Sequence, residues 1–171
     1  MHHEILVSEA EIAKRVEELA REIANAPVKP HIAAPVLTGA YVFAADLLRA
    51  LTREGYSLPV EFLWLRSYSG QASSGMKVLV PPNGNFRGKN VLVLDGVLDT
   101  GRTMRKAREL CLQYGASSVT TVVMVDKRRE NALSKADIAG FTGLDEFIVG
   151  YGMDDSGRDR ALPYIAKAVR E

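Results

Sequence analysis

Apolar positions follow two periods along the chain. Residues 8–24 repeat them at helical spacing through Ile12, Val16, Leu19 and Ile23, and Ser8 with Glu11 fits a capping box at the start. Residues 40–54, AYVFAADLLRALTRE, hold enough Ala and Leu for a buried helix, and a third helix is predicted from about Arg102 to Tyr114, stopping at Gly115. Strand character marks IAAPVL (32–37), VEFLWL (60–65), NVLVLD (90–95) and SVTTVVMVD (118–126). NVLVLD lacks polar alternation, as a central parallel strand covered on both faces should. Residues 66–89 turn polar and rich in Gly, Ser and Pro, which predicts a long lid-like loop with a hairpin around MKVLV. The tail alternates short apolar pieces such as DIAGF and EFIVGYG with turns, and closes on a short helix after Pro163. Repeated strand–helix–strand order predicts an α/β domain with a mainly parallel sheet, spanning 1–171 without a linker.

Composition narrows this picture slightly. A chain of 171 residues, 47% apolar and 25% charged, can bury a full core without staples. The net charge of +1 provides no global attraction to nucleic acid or membrane. Cys111 is the single cysteine, so no internal disulfide forms, and a cytoplasmic setting is expected. No apolar run approaches the roughly 20 residues that span a bilayer.

The chemistry concentrates in residues 91–104, VLVLDGVLDTGRTM. A strand ending near Asp95 and a helix from Arg102 would put residues 96–101 at the carboxyl edge of the sheet, where ligands of open α/β sheets bind. The helix start offers unpaired N–H groups and a positive dipole end, Gly101 permits close backbone approach, and Thr100 and Thr103 add hydroxyls. The stretch is a phosphate cradle. GVLDTGRT also approaches the nucleotide-triphosphatase loop, but Arg102 stands where that loop needs lysine and Asp99 would bring negative charge into it.

An acidic strand end followed by Asp-Thr-Gly-x-Thr resembles the ribosyl-phosphate signature of type I phosphoribosyltransferases, and Asp99 before Thr-Gly resembles the 6-oxopurine branch, the hypoxanthine-guanine phosphoribosyltransferases. LTGAYVFAADLL (37–48) resembles the family's pyrophosphate loop and following helix, and RSYSGQASSG (66–75) its flexible catalytic loop. VDKRR (125–129) supplies the expected lysine, and EFIVGYGMDDSGRDRALPY (146–164) resembles the purine-binding segment. The resemblance implies a type I phosphoribosyltransferase fold, with a mainly parallel sheet flanked by helices. A small hood from the N- and C-terminal segments and a flexible lid loop over about 66–89 complete it.

The implied activity is a glycosyltransferase step of purine salvage. The 5-phosphoribosyl group moves from 5-phosphoribosyl 1-pyrophosphate to N9 of hypoxanthine or guanine, giving IMP or GMP and pyrophosphate. By the resemblance, Thr100, Gly101, Arg102 and Thr103 hold the 5′-phosphate and Asp95 the ribose hydroxyls. Asp99 handles the proton at purine N7, Lys127 donates to O6, Phe147 stacks on the base and Ile148 meets its C2 edge. Leu37, Thr38, Gly39 and Arg160 surround the pyrophosphate, Asp154 reaches a bridging Mg²⁺, and Ser67 and Tyr68 ride on the lid. A homodimer or homotetramer is the implied assembly.

One departure stands out. The family's adjacent Glu-Asp pair is Asp95-Gly96 here, so one acid is shortened and the other lost, and restoring it by Gly96→Asp is expected to raise catalytic efficiency. A catalytically weakened relative is therefore a rival reading. Another is a nucleotide-sensing RNA-binding regulator on the same fold, using Arg102, Arg105, Lys106 and Arg108 with Lys127, Arg128 and Arg129. Structural roles compete for single residues as well: Asp99 as a helix-start acid, Phe147 as core, Lys127 as a solvated face, Asp154 as a turn residue, His3 as terminal disorder and Trp64 as core or subunit contact.

Overall fold

Ser8 caps the first helix as its spacing predicts. Its hydroxyl accepts the Glu11 amide at 3.3 Å, while the Glu11 carboxylate accepts the Ser8 amide at 2.8 Å. In the computed structural model, which describes residues 3–67 and 76–168, a strand β1 (His3–Val7) precedes this cap and α1 (Glu9–Ala24) follows it. The chain continues through β2 (Ile32–Leu37), α2 (Tyr41–Arg53), β3 (Leu63–Ser67), β4 (Met76–Val80), β5 (Asn90–Leu98) and α3 (Arg102–Gln113). It ends with β6 (Ser118–Asp126), β7 (Ile138–Thr142), β8 (Ile148–Val149) and β9 (Ile165–Ala168).

Six strands form the main sheet in the order β4-β3-β2-β5-β6-β7, parallel throughout except for the β3–β4 hairpin. β5 explains its own sequence. Leu92 and Leu94 pack into the core beneath α1 and α2, while Val91 and Val93 pack into the core beneath α3. With both faces covered, no position on NVLVL is left for a polar side chain to alternate into. α2 follows β2 on one face and α3 follows β5 on the other, and β2 and β5 are neighbours. The chain therefore diverges between them, and a crevice opens beyond their carboxyl ends.

A second sheet, β1-β9-β8, is antiparallel and joins the two ends of the chain. Tyr151, beyond β8, ties it to the core: its buried hydroxyl donates to Asp46 on α2 at 2.8 Å. Burial first, then the bond to and charge of Asp46, pushes the Tyr151 phenol well above its ordinary pKa.

Several expectations need correction. The strand expected over 60–65 starts at Leu63, and Val60 makes only an isolated bridge to Ala33. The strand expected to end at Asp95 runs to Leu98, because Val97 and Leu98 go on pairing with Val125 and Asp126; the crossing loop is thus shorter than 96–101. The short helix after Pro163 is the strand β9. Two partner strands outweigh the helix propensity of Ala and Lys there. His3 is not a loose terminus but pairs with Ala168 and lies 3.7 Å from Asp159. The hairpin around MKVLV is present as β3–β4. No helix among the described residues is long and apolar enough to cross a membrane.

Asp137 sets where β6 and β7 begin to pair. Its carboxylate accepts the Thr121 amide at 2.7 Å, the Thr121 hydroxyl at 2.7 Å and Arg108 at 2.9 Å. Thr121 is fully buried, so its amide and hydroxyl have no exposed route to water. Asp137→Ala is expected to lower stability by about 1–3 kcal/mol, read as an earlier urea midpoint at unchanged slope. Asp137→Asn, which keeps an acceptor oxygen, should recover part of the loss.

Candidate active site

The crevice beyond β2, β5 and β6 has a volume of about 430 Å³. Leu37 enters it from the end of β2, Thr38 and Gly39 from the loop that follows, Asp95 and Val97 from β5, Asp99 from the turn after β5 and Thr103 from the first turn of α3. Lys127 comes from the end of β6, Phe147 and Ile148 from the start of β8, and Met153, Asp154 and Arg160 from the turn between β8 and β9. Val36, Leu65 and Met76 complete an apolar wall. A smaller recess of about 190 Å³, lined by residues 97–104, shares Val97, Asp99 and Thr103 with it and holds Thr100, Gly101 and Arg102.

That recess is the start of α3. Gly101 is its N-cap, with φ +74, and a Cβ there would come within 2.6 Å of the Ser134 amide nitrogen. Glycine is thus required twice, by conformation and by space. The Leu133 amide donates to the Thr100 carbonyl at 2.8 Å, so residues 133–134 back the turn directly. The first-turn amides of α3 have no intrahelical acceptor and lie at the positive end of its dipole, an arrangement suited to a phosphate.

Charge pairing organises the middle of the crevice. Asp99 faces two cations, Lys127 Nζ at 3.5 Å from one oxygen and Arg129 Nε at 3.0 Å from the other. The buried Lys127 ammonium also donates to the Glu146 carbonyl at 2.8 Å. The buried Asp95 accepts the Gly96 amide at 2.7 Å. Desolvation raises its carboxyl pKa to about 7, against the opposing pull of that bond. Asp154 pairs with Arg160 at 2.8 Å and accepts the Gly157 amide at 2.6 Å, while Arg160 donates to the Gly152 carbonyl at 2.7 Å.

Gly96 is the residue whose meaning changes. A Cβ at 96 would lie 2.7 Å from the Gly39 carbonyl oxygen, and one at Gly152 would lie 2.4 Å from the same atom. Two glycines thus clasp the carbonyl of the loop expected to hold pyrophosphate, and the contact is backbone, which cannot swing aside. The expectation that Gly96→Asp improves catalysis is reversed: the added side chain must push this loop out of place. In this chain the position next to Asp95 is occupied by the Gly39 backbone rather than by a side chain.

Of the residues singled out from sequence, Leu37, Thr38, Gly39, Asp95, Asp99, Thr103, Lys127, Phe147, Ile148, Asp154 and Arg160 share the crevice, and Thr100, Gly101 and Arg102 share its adjoining recess. Ser67 is the last residue of β3, and Tyr68 lies outside the described residues. Sequence reasoning missed Val97, Leu65, Met76 and Met153, whose apolar character carries no sign of a site, and it named Arg129 only among the basic residues of the RNA reading. The basic surface required by the RNA reading is largely engaged. Arg108 is bonded to Val119, Thr121 and Asp137, Arg105 pairs with Glu109 at 3.6 Å, and Lys127 is buried.

Among the described residues no group of three or more His, Cys, Asp or Glu side chains is arranged to hold a metal. Asp154, a carboxylate on the wall of the crevice, nevertheless fits Mg²⁺, which usually takes one or two carboxylates and completes its shell with substrate phosphates and water.

Residues 2–156 match the model of the phosphoribosyl transferase domain. The hypoxanthine-guanine phosphoribosyltransferase of Aquifex aeolicus is 37% identical over 166 residues, covering 94% of this chain and 92% of that one. A hypoxanthine-guanine phosphoribosyltransferase structure from Bacillus anthracis superposes with a TM-score of 0.86 at 32% identity, over 97% of this chain and 98% of that one. The hypoxanthine phosphoribosyltransferase of Trypanosoma cruzi in complex with the product IMP gives a TM-score of 0.84 at 29% identity, over 95% and 92% of the respective chains. Fold, crevice and likeness agree: the chain belongs to the phosphoribosyltransferase family, among its hypoxanthine-guanine members.

Proposed function

We propose that this chain transfers the 5-phosphoribosyl group from 5-phosphoribosyl 1-pyrophosphate to N9 of hypoxanthine or guanine, releasing pyrophosphate. The carrying observation is that Asp99 and Lys127 meet between a phosphate-type helix start and a half-exposed Phe147 within one crevice. The open helix-start amides support the 5′-phosphate at Thr100–Thr103, and the opposite end supports pyrophosphate at Leu37, Thr38, Gly39 and Arg160.

Breaking the bond from C1′ to the pyrophosphate oxygen builds positive charge on the ribose and negative charge on the leaving group. Arg160 and the amides of the 37–39 loop neutralise the second. Mg²⁺, held by Asp154 and the phosphates, supplies further charge neutralisation when bound. Asp99 handles the proton at purine N7, and the Lys127 ammonium donates to O6, which an amino-purine cannot match. Phe147 supports the base from its face, and the Ile148 backbone meets the C2 edge. Ser67 and Tyr68 belong to the lid in this reading, and β1-β9-β8 to the hood. Asp95 receives the ribose hydroxyls, where a carboxylate makes charge-assisted bonds. A cytoplasmic setting agrees with the free, buried Cys111, whose thiol burial pushes up to about 12.

The half-exposed row Val60, Phe62, Trp64 and Val80 supports a homodimer or homotetramer joined through the β3–β4 edge. Trp64→Glu is expected to shift the sedimentation coefficient toward that of a monomer.

With protein, Mg²⁺, donor and hypoxanthine or guanine, nucleotide absorbance should appear at a rate proportional to enzyme; absence of product, with salt-sensitive RNA retention instead, would overturn the reading. Asp99→Asn is expected to lower kcat about 100-fold or more with unaltered folding, as loss of a general acid–base group does. Lys127→Met should raise the KM for hypoxanthine roughly 10- to 100-fold, the cost of one charge-assisted bond.

Asp95 supplies a pH test. Its folded pKa of about 7 lies above the ordinary 3.8, so the folded state keeps a proton that the unfolded chain has released. Its stabilising contribution is therefore full below about pH 4 and is lost as pH rises through about 7. Asp95→Asn should match the parent in denaturation midpoint near pH 4 and exceed it at pH 8, while weakening donor binding.

A further inference from the structure

Arg129 has no part in the transfer reaction as read above, yet its guanidinium touches the centre of the site. Nε lies 3.0 Å from Asp99 Oδ1. One terminal nitrogen donates to the Asp145 carbonyl at 3.4 Å, and the other lies 4.0 Å from the Asp145 carboxylate. One planar group thus joins the turn that carries Asp99 to the segment that leads into Phe147 and Ile148.

The backbone prepares this placement. The buried Asp126, last residue of β6, accepts the Arg128 amide at 2.8 Å, and Arg128 takes φ +52. That turn, anchored by the Lys127 amide on the Leu98 carbonyl at 3.0 Å, sends residues 127 and 129 to the same carboxylate. Lys127 meets one Asp99 oxygen and Arg129 the other. The two cations differ in their surroundings. Lys127 is buried, lines the crevice and donates to the Glu146 carbonyl, whereas Arg129 is 40% exposed and bound at its terminal nitrogens to Asp145.

We propose that Arg129 is a positioning residue: its guanidinium holds the Asp99 carboxylate in the orientation used at the purine and keeps it in register with the base-supporting segment at Asp145–Ile148. This rests on the assignment of Asp99 as the proton-handling group. The Asp99 side chain is 47% exposed, so without a second anchor it has free rotamers in water. A guanidinium fixes a carboxylate in plane and direction, which an ammonium does not. Holding a reacting group in its working geometry lowers the barrier without adding contact to the substrate. An ion pair this exposed contributes little to stability, so the effect belongs to turnover rather than to folding.

The test is a double-mutant cycle in the full chain with hypoxanthine, donor and Mg²⁺. Arg129→Gln should lower kcat roughly tenfold, leave the KM for the donor within about twofold and move the denaturation midpoint little. Arg129→Lys should restore only part of the rate, since a point donor cannot reach Asp99 and Asp145 together. In an Asp99→Asn background, Arg129→Gln should change kcat less than about twofold. Equal losses in both backgrounds, or an unchanged kcat in the single variant, would overturn the proposal. A crystal structure of Arg129→Gln gives a readout independent of turnover: Asp99 should leave its present rotamer, and an unmoved Asp99 overturns the proposal. No transfer by the unaltered protein, with Asp99 displaced in that crystal, would sink the functional assignment and leave the positioning intact.

Discussion

The site depends on one close approach of three backbones. The Gly39 carbonyl rests between Gly96 on β5 and Gly152 beyond β8, with room for a hydrogen at each and for nothing larger. This contact joins the loop after β2, the central strand and the turn that carries Asp154 and Arg160. Since each segment belongs to a different part of the chain, their juncture decides the width of the crevice. It also recasts the absent acid beside Asp95. A second carboxylate there and this approach of the 37–39 loop are sterically exclusive, so the glycine is part of how the loop is seated.

Around that juncture the chain balances charge before any substrate arrives. Asp99 is held by Lys127 and Arg129, and Asp154 by Arg160. Among the described residues no cation pairs with Asp95, and burial makes it keep its proton to higher pH. Each acid in the crevice therefore stays compact in the free protein, and a ligand gains its hold by exchanging partners. A pyrophosphate can take over Arg160, and an oxo-purine can enter between Asp99 and Lys127. Such exchange favours ligands that bring both charge and matching donors, in keeping with the selectivity proposed above.

Much of this was legible in the chain itself, for physical reasons that differ by residue. Asp99, Thr100 and Lys127 follow strands whose apolar runs are unmistakable, and in a parallel sheet the residues after a strand are the ones that meet. The α1 cap was legible because Ser8 and Glu11 interact locally. What escaped depends on distant partners. β9 is a strand because β1 and β8 flank it, and nothing in IAKA announces either. Leu98 extends β5 because β6 continues beside it. Arg129 looked like one of a solvated basic run, and only a turn with a positive φ at Arg128 brings it to Asp99. Gly96 invited repair because its crowding comes from a residue 57 positions away, a separation visible only in three dimensions.

The order of strands in the smaller sheet has a bearing on biosynthesis. β9 lies between β1 and β8, so the earliest and the latest described strands must meet before the segment bearing Phe147 and Ile148 gains its hydrogen-bonded support. The large sheet draws no strand from beyond β7, so its pairing does not wait for β9. A product truncated before β9 would keep the turn at the start of α3 but leave β8, beside Phe147, without its described partner strand.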